Sequence, residues 1–421
     1  MTGVRAAVVV LLAAMPAAAQ DAPAAAAAPR DLGWRVRWDD HPEIEWAGRV
    51  RVEVRARLQG DSHASRAAVA RADGDSFDVG RRRVGIAGDI GRTVEFQIER
   101  EIEHAVPWRD VYVNYRPVRG AQIQAGQFKL PFGLEETTGA GDLAFIYRSI
   151  VSDRLAPGRD RGTMLHGRVA GRTLGYEIGM FAHDGDNARP RHGSRVSGGR
   201  TVAGRVTVEP FRRSTSTLAD LQVGAAVARS SLPEGFPAVR GRSVLGVSFF
   251  DPDVWVEGSR RRHGVQVRWR PGPFAVAAEF IRVSDDRRGQ GSTGSDLQPL
   301  VARGWYVSGT WVVAGAAGAA GAARPARPLL QGGFGSLQVA ARRERLVLGS
   351  LSRTGSLSAS PRAESVPGGG ETATTLGATW HLNRWVAVEG DVICEDIGGP
   401  AAAAAPRLRV WSRLVRLRVA I

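Results

Sequence analysis

The chain has 421 residues, with 57 Lys or Arg against 42 Asp or Glu, and a formal net charge of +15. Its one cysteine, Cys394, excludes an internal disulfide framework, and after the N-terminus no run of about eighteen apolar residues marks a helical membrane span. Such basicity often marks a nucleic-acid binder, but here the charges alternate with apolar residues instead of clustering on a tail or helix face, which argues against nucleic acid as a partner.

The N-terminus reads as a secretory signal over residues 1–19. Arg5 is the positive start, residues 6–15 form a short apolar core, and Ala17-Ala18-Ala19 offers a small-residue cleavage site. Residues 20–46 read as a periplasmic linker, because the Ala/Pro stretch 21–29 has the composition of a flexible segment. The remaining domain, 47–421, is predicted to be built from strands.

Residues 49–58 alternate strictly. Val50, Val52, Val54, Ala56 and Leu58 take one face, and Arg49, Arg51, Glu53, Arg55 and Arg57 the other. Side chains of a strand point alternately to opposite faces, so this segment has one apolar and one ionised face. Residues 93–102 and 110–116 repeat the pattern, and 121–126 and 164–170 flank a long interruption. Further runs follow at 173–181, 201–209, 220–229, 264–270, 274–283, 305–313, 335–343, 374–382, 386–392 and 407–421. Short, evenly spaced strands of this kind read as an up-and-down antiparallel sheet.

The connections decide between a soluble sheet and a membrane barrel. Tight turns at Gly171-Arg172, Pro271-Gly272-Pro273 and Asn383-Arg384 alternate with long polar loops at 182–199, 233–237, 284–302 and 355–371. Short turns on one side and long loops on the other are how outer-membrane barrels are built. Trp108, Tyr112, Trp255, Trp305, Trp311, Trp380, Trp385 and Trp411 sit near strand ends, as interfacial girdles require. The expected fold is therefore all-β, a transmembrane antiparallel barrel in the outer membrane of a Gram-negative bacterium. About seventeen candidate strands are counted. A barrel with both ends in the periplasm needs an even number, so sixteen are expected, with the miscount near residues 344–353. In the last strand Arg416 and Arg418 should face inward, and a change of apolar phase at Ser412-Arg413 suggests a β-bulge.

The long interruption, Gly126 to Gly167, is the most informative stretch. It reads GQFKLPFGLEETTGAGDLAFIYRSIVSDRLAPGRDRGTMLHG and holds Lys129, the only lysine of the chain. The pattern G-Q-F-K-x-P-F-G-L-E-E, followed by an aromatic-basic pair and A-P-G-R-x-x-G, resembles the phosphate-selective porin O/P family of outer membranes. The likeness is dense over 126–167 and extends more loosely over about 48–421 through strand order and spacing. The resemblance implies a sixteen-stranded homotrimeric porin whose inserted loop and wall carry basic residues for an anion. It maps Lys129 and Arg159 onto recurrent motif positions.

A barrel of this size encloses water, so the loop after strand 5, residues 128–160, is expected to fold into the lumen as a constriction. Candidate anion contacts are Lys129, Arg148, Arg154, Arg159 and Arg161 on or beside the insert, and Arg51, Arg55 and Arg57 on the wall. Arg49, Arg116, Arg205, Arg268 and Arg416 are further inward candidates. Arginine keeps its charge and offers a fixed fork of donors suited to oxyanions, and rings of Arg or Lys select anions in pores. Within the insert, Glu135, Glu136, Asp142, Asp153 and Asp160 match the five basic residues in number, so salt bridges pinning the insert to the wall are the competing reading.

Enzyme chemistry finds no foothold. The eight histidines form no H-E-x-x-H, no G-x-S-x-G is present, and the run from Gly368 to Gly370 lacks a phosphate-loop lysine. His183-Asp184-Gly185-Asp186-Asn187 has cation-binding residue types but reads as a solvated turn. No cofactor or metal is expected. The predicted function is passive diffusion of small anions, with phosphate or polyphosphate as the candidate species. The alternative is a plugged barrel serving as an anchor or surface-binding protein.

Overall fold

The computed structural model describes residues 33–38, 41–67, 74–102, 107–185, 199–317, 323–350, 360, 362–398 and 408–421. The expected signal segment 1–19 and the Ala/Pro stretch 21–29 lie outside these residues. Sixteen antiparallel strands form the wall: β1 (Val50–Ala67), β2 (Gly74–Ile90), β3 (Val94–Glu101), β4 (Trp108–Val118), β5 (Ala121–Lys129), β6 (Arg159–Val169), β7 (Leu174–Phe181), β8 (Thr201–Val208), β9 (Gln222–Pro237), β10 (Trp255–Trp269), β11 (Phe274–Arg287), β12 (Leu297–Ala314), β13 (Ser336–Ser350), β14 (Gly369–His381), β15 (Val386–Gly398) and β16 (Leu408–Ala420). Each pairs with its chain neighbour. The barrel closes where β16 pairs with β1, with Ala420 opposite Arg57 and Val410 opposite Ala67.

Alternation on the wall follows the sequence. Val54 and Leu58 of β1, Val265 and Val267 of β10, and Val415 and Leu417 of β16 are exposed on the outward face. Arg416 and Arg418 are buried on the other, at 5% and 7% exposure. Outward apolar side chains meet lipid and inward polar ones do not, which is the requirement for a transmembrane barrel.

Several expectations change. The strand β2 was not among the predicted runs, because Arg81-Arg82-Arg83 interrupts its alternation and a bulge opposite Gln59 and Asp61 shifts its phase. Residues 233–237, expected as a loop, belong to β9. The register shifts between Leu232 and Phe236, and the connection to β10 is instead 238–254. The suspected break near 344–353 is a continuous β13 reaching Ser350. No bulge occurs at Ser412-Arg413. The register of β16 is unbroken against both neighbours, so Arg409 and Arg413 face outward while Val410 and Leu414 turn inward. Leu414 packs there against Ile146, Ala373 and Ile393. Part of the expected linker 20–46 is also structured. Trp34–Trp38 and Pro42–Trp46 form a hairpin whose second strand extends the sheet beside Val50 to Glu53.

The inner face is not uniformly polar. Toward the long-loop end, Leu232, Phe236, Ile281, Val283, Leu346 and Leu348 pack with Leu130, Phe132, Val151 and Leu155 of the insert and with Phe249 and Phe250 of the 238–254 connection. Burying each large side chain stabilises this arrangement by about 1.5–3 kcal/mol. Gly185 shows how closely these segments fit. Its φ is +82°, and a Cβ there would lie 1.8 Å from the Pro157 carbonyl oxygen. Gly235 has nearly the same φ, +81°, but open space around it. Both substitutions to alanine carry the backbone cost of about 1–3 kcal/mol. Gly185→Ala is therefore expected to lower the melting temperature of the folded barrel more than Gly235→Ala. Equal shifts would show that the Pro157 contact contributes nothing.

Candidate functional site

The insert, residues 130–158, follows the fifth wall strand. It begins at Pro131 and Gly133, where proline and a left-handed glycine (φ +83°) end the strand. Two short helices follow, α1 (Leu134–Thr137) and α2 (Ile150–Leu155), the latter capped by the Ser149 hydroxyl accepting from the Ser152 N–H.

Three buried wall carboxylates accept backbone N–H groups of the insert. Glu279 takes Leu134 at 2.9 Å, Glu344 takes Ile150 at 2.6 Å, and Asp391 takes Ile146 at 2.8 Å. Wall arginines donate in return to insert carbonyls: Arg262 to Leu155 at 2.9 Å, Arg416 to Ile146 at 2.8 Å, and Arg418 to Gly141 at 2.7 Å. Arg342 donates to the Tyr147 carbonyl at 3.2 Å and pairs with Glu135. These partners lie on β10, β11, β13, β15 and β16. The insert is thus tied mainly to this side of the wall, and Arg205 of β8 adds a bond to the Gly133 carbonyl and one to the Thr137 hydroxyl.

A second tie closes the long-loop end. Asp184, 1% exposed, receives Arg260 at 2.7 Å, Arg262 and the Ser230 hydroxyl. Arg260 also pairs with Asp285 at 2.6 Å. Burial pushes the Asp184 carboxyl up, but Arg262 and Arg260 outweigh it and hold the group well below the usual carboxylate range. The expected solvated turn at His183-Asp184 is therefore a buried, ion-paired contact. Asp186 and Asn187 lie outside the described residues.

On the opposite side, beside β1 to β8, a cavity of about 450 Å³ remains open. Its charged lining is six cations, Arg55, Arg57, Arg83, Lys129, Arg159 and Arg205, against three carboxylates, Glu99, Asp110 and Glu177. It continues past Thr137, Gly139 and Arg205 into a second cavity lined by Arg168, Arg268 and Asp142. Some of these cations are matched: Arg159 chelates Asp110 at 3.1 and 2.8 Å, Arg205 grips Glu177 at 2.6 and 2.9 Å, and Arg83 meets Glu99 at 2.8 Å. Among the described residues, Lys129 and Arg57 have no carboxylate in ion-pair range. Lys129 donates to the Glu136 and Thr138 carbonyls, and Arg57 lies against Gly141.

The other sequence candidates are placed differently. Arg55 pairs with Glu53 at 2.7 Å and still lines the cavity. Arg51 is 48% exposed, pairs with Asp89, and does not line it. Arg148 binds insert carbonyls and Glu136, and Arg154 reaches Asp153 and the carbonyls of Arg242 and Ser243. Arg161 contradicts its expectation. It alternates with buried Asp160 and Met164 and stands exposed with Leu165 on the outward face of β6. Arg49 is exposed outside the strands, and Arg116 pairs with Asp89 and Glu95. Sequence reasoning missed Arg83 and the docking acids Glu279, Glu344 and Asp391. The signal was present in the acids: each is a carboxylate in the inward phase of an otherwise alternating strand.

A closed sixteen-stranded antiparallel barrel with an apolar outer face is the architecture of outer-membrane porins, and solved structures share it. OmpT of Vibrio cholerae aligns with a TM-score of 0.54 and 11% identity over 88% of this chain and 98% of its own. OmpF of Salmonella typhi aligns with a TM-score of 0.54 and 11% identity over 90% and 100%. The channel DcaP of Acinetobacter baumannii aligns at 0.57 and 10% over 88% and 98%. No curated protein sequence matches the chain. Residues 52–393 match the family described as phosphate-selective porin O and P, and the chain belongs to that family. Family and fold together define an outer-membrane channel for small solutes.

Proposed function

We propose that the channel prefers small anions, phosphate or related oxyanions among them, and that residues 128–160 fold into the lumen as its constriction. The observation that carries this reading is the excess of six cations over three carboxylates around the open cavity. Glu53 and Glu101 also pair with Arg55 and Arg83 there, while Glu279, Glu344 and Asp391 lie across the barrel, engaged with insert N–H groups. Lys129 and Arg57 then act as the unpaired cations, and Arg159 and Arg205 as matched ones that hold the opening's shape. Low-affinity sites in series suit conduction, because an anion must leave as readily as it enters. The family also supports a homotrimer, testable by native mass in detergent, where three chains per particle are expected.

Titration of phosphate against single-channel current in potassium chloride tests the oxyanion site. Phosphate is expected to reduce chloride current at concentrations that barely change ionic strength. Undiminished current with retained anion preference would leave a general anion channel. The apolar packing at the long-loop end favours a second reading, a plugged barrel that anchors or binds at the surface. A folded barrel without conductance would select it.

A further inference from the structure

A second set of arginines stands on the outside of the barrel. Arg229, Arg261, Arg282, Arg303, Arg345 and Arg413 are all exposed, in the outward phase of β9 to β13 and β16. Arg229 lies directly opposite Arg261, and Arg282 directly opposite Arg303. Like charges so placed destabilise a sheet unless something neutralises them. Arg261 has Asp286, and among the described residues Arg229 reaches only the Ser259 hydroxyl. Among the described residues Arg282, Arg303, Arg345 and Arg413 have no ion pair. The inner wall, by contrast, pairs most of its arginines with carboxylates.

Their height on the wall is equally specific. On β11 the outward residues run Phe274, Val276, Phe280, then Arg282, and on β12 Arg303 is followed by Trp305, Val307 and Trp311. The arginines therefore cap the apolar band on the side of the long loops, which in bacterial barrels is the outer leaflet. Directly beneath the Arg282–Arg303 pair, an outward concavity of about 670 Å³ is lined almost wholly by apolar atoms of Val223, Val265, Val267, Phe280, Trp305 and Val307. Phe280 faces Trp305 one step below the two arginines.

We infer that this belt is a docking surface for a phosphorylated, multiply acylated lipid of the outer leaflet, its phosphates bridging arginines of adjacent strands and an acyl chain lying in the concavity below. Free phosphate fits the arginines but leaves the apolar concavity unexplained, whereas a lipid fills both.

Native mass spectrometry of the full protein in detergent, with lipid A as the probe, tests this. Bisphosphorylated lipid A is expected to be retained about tenfold or more over the same lipid stripped of phosphate, and millimolar inorganic phosphate is expected not to displace it. The double variant Arg282→Gln and Arg303→Gln should lose that preference, while Arg282→Lys with Arg303→Lys keeps most of it. Single-channel conductance should match the parent in both. Equal retention of the two lipids, or unchanged preference in the glutamine variant, overturns the proposal. Displacement by inorganic phosphate would reduce the belt to a free-phosphate site. A fall in the number of chains per particle in the lipid-free glutamine variant would make it a contact between copies. Should the glutamine variant not fold, the two lipids on the parent protein decide alone.

Discussion

Replacing Arg57 by glutamate is expected to shift selectivity from anions toward cations by about a hundredfold. Arg57 lines the open cavity, lies against Gly141 of the insert and has no ion-pair partner among the described residues. The change removes one cation and adds one carboxylate, leaving five cations against four acids. A unit charge about 6 Å from a permeating ion in water is worth about 0.7 kcal/mol, so a change of two units disfavours chloride by about 1.4 kcal/mol and favours potassium by as much, a factor of about a hundred in their ratio. Reversal potentials under a potassium chloride gradient read this directly. Arg161→Glu is the control, since that side chain stands on the outward face and should leave the reversal potential where it was. If Arg57→Glu were silent while Arg161→Glu shifted selectivity, the assignment of the cavity as the ion path would be wrong.

The second large effect is on the hold of the insert. Asp184→Asn leaves Arg262 without its carboxylate and Arg260 with only Asp285, in a setting where all these side chains are almost fully buried. Removing one partner of a buried ionic network costs about 3–5 kcal/mol. Arg262 also donates to the Leu155 carbonyl, so disorder there spreads to α2. Urea unfolding in detergent should show that loss at neutral pH, and single-channel records should become noisier. The pH dependence has a definite sign. A carboxylate held below its ordinary value contributes stability fully above its unfolded pKa, near about 4, and loses it as pH falls through the folded one. The parent and Asp184→Asn should therefore differ most at neutral pH and converge only in strong acid. Identical unfolding at pH 7 would show the network to be energetically neutral.

The wall was largely readable from sequence, because a strand declares its two faces locally. Residues 49–58 display the lipid face and the charged face without any knowledge of neighbours. β2 escaped notice for a physical reason: three consecutive arginines span both faces, and the bulge that accommodates them is a property of the pairing with β1. Arg161 shows the cost of phase. One residue along a strand reverses the face, and the phase at the end of an irregular insert cannot be propagated from either side. The insert's existence and its bounds in the chain were legible from its proline, glycine and motif residues, whereas its place after the fifth wall strand depends on β2, which the listed runs omit. Its partners were not. Leu134 meets Glu279, Ile150 meets Glu344 and Ile146 meets Asp391, across 145, 194 and 245 positions. Only closure of the barrel brings such residues together, and with them comes the asymmetry between a side that holds most of the insert and a side left open, where cations outnumber carboxylates around the cavity.

That asymmetry makes one measurement decisive. Refolded parent protein in a planar bilayer, under a potassium chloride gradient, has a reversal potential whose sign reports the preferred ion. A potential on the chloride side, relaxing toward zero as salt screens the lining charges, is the predicted result. A potential on the potassium side would contradict the account, because six cations facing three carboxylates could not then be lining the path that ions take.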